Sequence, residues 1–101
     1  MEYSKATPVL LEQIKKYPYF ELLAIVQKDG VRKTITLDYT EQQVYTSFSH
    51  RPYFKKSIAG KEFISEPYIS TDTNNYCIAI SVPVKNKNGE ILGIIIADLK
   101  L

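Results

Sequence analysis

The chain has 101 residues, enough for one domain with a single hydrophobic core and too few for a second. Thirteen lysines and arginines against eleven acidic residues leave a net charge of +2, with the signs interspersed, so neither nucleic acid nor an acidic membrane surface is demanded as a partner. The lone Cys77 excludes an intrachain disulfide and is expected to be a small buried apolar residue. No stretch approaches the roughly 20 apolar residues of a membrane span, and the N-terminus lacks a signal-peptide core.

Residues 1–6 are polar and expected to fray. Thr7-Pro8 predicts a helix start, with a hydroxyl N-cap followed by proline at the first helical position. Val9, Leu10, Gln13, Ile14 and Tyr17 then recur at helical spacing until Pro18 ends the run. Phe20–Lys28 is rich in strand formers, Asp29-Gly30 is a hairpin turn, and Val31–Leu37 alternates as the returning strand. Asp38–His50 reads as a connection with one or two helical turns carrying Val44, Tyr45 and Phe48. Pro52 opens a short helix through Ile58, capped by Gly60.

Phe63–Ser70 is a strand broken by Pro67, which places it at a sheet edge or at a bulge. After the polar turn Ser70–Asn75, Tyr76–Lys85 alternates cleanly, with Tyr76, Ile78, Ile80, Val82 and Val84 on one face and Cys77, Ala79 and Ser81 on the other. Asn88-Gly89 turns the chain into Glu90–Leu99, the most apolar strand. The order predicts an α+β domain over 1–101. It has about five antiparallel strands, with Tyr76–Lys85 and Glu90–Leu99 paired, and residues 7–17 packed on the face away from any pocket.

The chemistry concentrates in Arg51-Pro52-Tyr53-Phe54, in Glu66-Pro67-Tyr68-Ile69-Ser70 and at Asp98. A guanidinium offers a planar fork for a carboxylate, and tyrosines supply hydroxyls and ring walls. Asp98 lies in a strand apolar on both faces, where a carboxylate costs several kcal/mol of desolvation, on the order given for buried ions, unless it is paired. The plain alternatives are a strand frayed at Asp98 and an ordinary Arg51–Glu66 ion pair. No catalytic residue is assigned: His50 has no histidine partner for a metal, and neither a Gly-x-Ser-x-Gly turn nor a Gly-rich phosphate loop is present. No cofactor is expected.

In these residues, and in the Phe20–Gly30 hairpin, Val82-Pro83-Val84, Asn88-Gly89 and Leu92-Gly93 with Asp98-Leu99, the chain resembles the Cache family of extracellular sensor domains. The family is also called PDC and is PAS-like. The resemblance implies a PAS-like five-stranded antiparallel sheet with helices on its faces. It also implies a small-metabolite pocket and a place in a signal-transduction or chemotaxis receptor outside the cytoplasm. One subgroup of the family binds free amino acids. By that resemblance Arg51 and Tyr53 fall at the ligand carboxylate and Tyr68 and Asp98 at its ammonium. Tyr45 is the nearest candidate for a further motif tyrosine, one residue off in spacing.

The function expected is therefore a non-enzymatic sensor for an amino acid or related small carboxylate, with a homodimer formed through a parent receptor. This segment is expected neither to bind nucleic acid nor to insert in a membrane. The alternative is a PAS-like structural or dimerisation module with a degenerate pocket.

Overall fold

The computed structural model describes residues 6–37 and 39–101. The fraying expected of residues 1–6 falls mostly on positions 1–5, outside the described residues, as does Asp38 of the connection. Helix α1 (Ala6–Lys16) precedes the strand pair β1 (Phe20–Gln27) and β2 (Arg32–Ile35). One helical turn, α2 (Glu41–Val44), and helix α3 (Pro52–Ile58) follow, then β3 (Phe63–Ile64), β4 (Tyr68–Ile69), β5 (Tyr76–Lys85) and β6 (Ile91–Lys100). The sheet is antiparallel throughout, in the order β2-β1-β6-β5-β3, with β4 also on β5.

Six strands thus fill the five positions expected. Proline has no N–H for the ladder, so the lane interrupted at Pro67 pairs with β5 as two short pieces, Phe63–Ile64 against Ile80–Ser81 and Tyr68–Ile69 against Tyr76–Cys77. The α3 boundaries coincide with the predicted ones. Arg51 at its N-cap is extended (φ −75°, ψ 141°), as a residue before proline must be. The N-cap assigned to Thr7 is not there. Ala6 is already helical, and the Thr7 hydroxyl reaches across to the Thr34 hydroxyl of β2, a tertiary partner invisible to local sequence.

The two faces of the sheet differ. On one, Leu10 of α1 packs with Leu23, Ile25 and Ala97, so α1 does lie on that side. On the other, Phe54 of α3 and Phe48 pack on Val26, Ile94 and Ile96. Val26 and Ile94 are wholly buried, each worth about 1.5–3 kcal/mol relative to exposure. In β5 the small residues Cys77, Ala79 and Ser81 are the fully buried ones. Their size lets α3 come close: the Ser57 and Ser81 hydroxyls bond at 2.7 Å, and Ser81 Oγ also donates to the Tyr53 carbonyl at 3.1 Å.

The hairpin glycine places the segment that roofs this second face. Gly30 has φ +90°, a conformation L side chains rarely adopt, and an added Cβ would sit 2.5 Å from Ser49 Cβ. Its carbonyl accepts from Phe48 N at 2.6 Å, while Thr46 O accepts from Arg32 N at 2.8 Å. The stretch Thr46–Phe48 therefore runs along β2 and delivers Phe48 and then Arg51 over the sheet.

Candidate functional site

A cavity of about 30 Å³ lies between the sheet and this roof. Its floor is Leu22 and Ala24 of β1 and Ile96 and Asp98 of β6, residues that pairing places side by side (Leu22 with Asp98, Ala24 with Ile96). Arg51 and Tyr53 come from the start of α3, Tyr68 from β4, and Ser70, Thr71 and Asp72 from the turn after it. Four residues singled out from the sequence, Arg51, Tyr53, Tyr68 and Asp98, line this one space.

Asp98 is not frayed. It is 3% exposed, and its Oδ1 accepts a hydrogen bond from the Tyr68 hydroxyl at 2.9 Å. Burial raises its carboxyl above the ordinary range. Hydrogen bonds from Tyr68 and Ser70 oppose that rise, and the negative charges of Asp72 and Glu21 add to it. The same burial, with Asp98 beside it, pushes the Tyr68 hydroxyl far up, so it remains a donor. Burial likewise raises Tyr53, with the Arg51 charge opposing. Cys77 is fully buried beneath Asp98 and Tyr68, its thiol raised first by burial and then by Asp98.

Arg51 forms no ion pair with Glu66 among the described residues. Its Nε is buried without a hydrogen-bond partner there. Among the described residues, the cavity therefore holds a guanidinium nitrogen without an acceptor and a carboxylate held by the Tyr68 and Ser70 hydroxyls.

The structure does not bring Tyr45 to this cavity. That residue is 49% exposed, lies under the Lys33 ammonium at 5.2 Å, and lines a different groove with Leu37 and Val44. The chain after α2 turns along β2 at Thr46, so Tyr45 points off the sheet edge and Phe48 is the aromatic residue that enters the cavity wall.

Sequence reasoning missed Arg32 and Asp72. Arg32 is 3% exposed and gives Nη1 to both Asp72 oxygens at 3.0 and 3.1 Å, Nη2 to Gln43 O at 2.9 Å and Nε to Val44 O at 3.0 Å. The Phe48 and Tyr39 rings flank it at 4.9 and 5.4 Å, and the Tyr39 hydroxyl also donates to Asp72 at 3.0 Å. In β2 an arginine reads as the polar half of an alternation. With Lys33 beside it and Lys28 just across the hairpin turn, nothing in the local sequence set Arg32 apart.

No group of three His, Cys, Asp or Glu among the described residues is arranged to hold a metal ion. No described helix is long and apolar enough to cross a membrane.

Residues 2–101 match the model of the methyl-accepting chemotaxis protein-like first PDC sensor domain. The chain belongs to that family.

Solved PDC-type sensor structures share the fold. The sensor domain of the V. cholerae histidine kinase DctB superposes with a TM-score of 0.83 at 21% identity, over 97% of this chain and 37% of that one. The ligand-binding domain of the Pseudomonas aeruginosa amino acid chemoreceptor PctC, in complex with GABA, gives 0.75 at 22% identity, over 100% of this chain and 44% of that one. Among curated proteins, a citrate (Re)-synthase of Syntrophus aciditrophicus (strain SB) is 28% identical over 102 residues, covering 93% of this chain but 16% of that protein. The chain thus spans less than half of each of these relatives. The family and the structural neighbours are sensor domains of signalling receptors rather than enzymes.

Proposed function

We propose that this PDC sensor domain binds an α-amino acid or a closely related small carboxylate. Arg51 and Tyr53 hold the carboxylate; Asp98 and Tyr68 hold the ammonium. The observation that carries the reading is one cavity with a guanidinium on one wall and a carboxylate on another, the half-buried Arg51 with a partnerless Nε and the buried Asp98. A buried charge without a counter-charge is costly, and a zwitterion relieves both ends at once. The amino acid ligand of PctC, at 22% identity, is consistent with this chemistry. The domain would sit outside the cytoplasm in a membrane receptor and act by population shift, with the ligand favouring the closed pocket and biasing an attached output, through a dimer of the parent chain.

One observation favours a second reading, a structural PAS-like module with a degenerate pocket. At about 30 Å³ the cavity has room for ordered water rather than for the atoms of an amino acid. Under the first reading the roof opens to admit the ligand.

A thermal-shift screen of α-amino acids, amines and short carboxylic acids separates the two. A ligand at about 100 times its Kd adds about 2.7 kcal/mol, a melting shift on the order of 10 °C for a domain of this size. If no compound of the three classes moves the transition, the amino-acid reading is wrong and the degenerate module leads.

A further inference from the structure

Arg51, Tyr53 and Tyr68 wall two spaces at once. On their inner side is the small cavity. On their outer side lies a groove of about 370 Å³, completed by Pro52, Phe63, Ser65, Glu66 and Pro67. We propose that this groove is the side-chain subsite of the bound amino acid, and that the ligands are α-amino acids with apolar side chains of leucine or phenylalanine length. The inference rests on the reading that Arg51 and Asp98 hold the two charged ends.

The inner cavity at about 30 Å³ is filled once the charged groups are engaged, so the rest of the ligand must leave it. Two exits adjoin it. The first, toward Tyr39, Gln43 and His50, is a groove of about 420 Å³ that shares Arg32, Phe48, Arg51, Thr71 and Asp72 with the cavity. Arg32 bars that way. Its guanidinium is tied to both Asp72 oxygens and to the Gln43 and Val44 carbonyls, so passage there breaks an ion pair on a buried arginine.

On the other side, Arg51, Tyr53 and Tyr68 are the residues common to both spaces. Tyr68 is anchored to Asp98, while among the described residues no hydrogen bond holds the Tyr53 hydroxyl. Tyr53, packed along one side on the Phe54 and Ile94 core, is the partition between the two spaces.

The chemistry of the outer groove then selects the side chain. Pro52 and Pro67 carry no N–H, and Phe63 and the two tyrosines offer ring surface. The Ser65 hydroxyl is already committed, donating to Glu66 O at 2.9 Å and accepting from Ala79 N at 2.8 Å. What remains is mostly apolar area, with Arg51 and the Tyr53 hydroxyl on the cavity side and the exposed Glu66 carboxylate at the rim. Such a surface rewards each added methylene and gives a polar side chain little to bond.

The test is calorimetric titration of glycine, alanine, norvaline, leucine, phenylalanine and lysine into the wild-type domain and into Phe63→Ala, Pro67→Ala and His50→Ala, with circular dichroism melts to confirm folding. Leucine should bind about tenfold or more tighter than alanine, as added buried methylenes demand. Phe63→Ala and Pro67→Ala should remove most of that gain while leaving alanine within about twofold of its wild-type affinity. His50→Ala, at the barred groove, should leave the series unchanged. Should Phe63→Ala fail to fold, the exposed Pro67→Ala carries the comparison.

Equal affinity for alanine and leucine, a uniform loss across the series in the Phe63 and Pro67 variants, tightest binding by lysine, or a selective loss in His50→Ala would each overturn the subsite while leaving the amino-acid reading in place. Absence of binding by every amino acid would overturn both.

Discussion

Arg32 grips Asp72 through one guanidinium nitrogen and two carboxylate oxygens, at 3.0 and 3.1 Å, across 40 residues of chain. The pair ties β2 to the turn that roofs the cavity, and the same guanidinium holds the end of α2 through the Gln43 and Val44 carbonyls. Removing Asp72 leaves a buried cation without its counter-charge. Asp72→Ala should therefore cost about 3–5 kcal/mol of stability. The Arg32→Met/Asp72→Ala double variant should lose clearly less than the sum of the two single losses. Urea denaturation of the four proteins gives the coupling; additive losses would mean the pair contributes nothing as a pair.

Asp98 should destabilise the ligand-free domain at neutral pH. Burial raises its folded pKa above the unfolded value, so the folded state keeps a proton that the unfolded chain has released. Stability is consequently lost as pH rises through the window between the two values. Asp98→Asn, uncharged and still able to accept from Tyr68, should melt several degrees higher at pH 7, since about 1 kcal/mol is worth about 4–8 °C in a domain of this size. That advantage should shrink to nothing below the unfolded carboxylate value of about 3.9. Melting both proteins across pH checks the sign, and a variant less stable than wild type at pH 7 would contradict it.

Ligand binding should follow the opposite pH course. An ammonium group needs the ionised Asp98, so amino acid affinity should fall as pH drops through the folded pKa of Asp98. A desamino acid should show no such dependence on this group. Titrations at several pH values with one amino acid and its desamino counterpart make the comparison.

The two ends of the site should invert ligand preference. Asp98→Ala removes the ammonium's partner and should weaken amino acids by about 2–4 kcal/mol while affecting plain carboxylates far less. Arg51→Ala should weaken every carboxylate and spare simple amines. Equal losses of amino and desamino acids in Asp98→Ala would make the aspartate a purely structural residue.

The hydroxyl pair between α3 and β5 should matter as a pair. Ser81→Ala leaves the buried Ser57 hydroxyl without its 2.7 Å partner and takes a donor from the Tyr53 carbonyl. The expected cost is about 1–3 kcal/mol, partly recovered in the Ser57→Ala/Ser81→Ala double variant because no orphaned hydroxyl remains between the two. Chemical denaturation measures it, and a double variant as unstable as the sum of the singles would refute the account.

Local sequence determined what depends on backbone chemistry and periodicity. Pro52 after an extended Arg51 starts α3, Asp29-Gly30 turns β1 into β2, and Pro67 splits the edge lane because it has no N–H to pair. The two-sided apolar pattern of β6 left Asp98 either buried and paired or solvated at a frayed strand end, and packing against Tyr68 decided for burial. The tertiary structure alone decided what depends on partners far apart in the chain. Arg32 meets Asp72 only because β2 and the 70–75 turn converge on the same roof. Thr7 bonds Thr34 instead of capping its helix because a strand lies within reach. Tyr45 is the nearest candidate for the tyrosine that the family resemblance implies before Arg51, one residue off in spacing, yet the pairing of Thr46–Phe48 along β2 leaves it in another groove and brings Phe48 to the cavity. Side-chain alternation names the faces of a strand, but only the packing of other elements determines what each face meets.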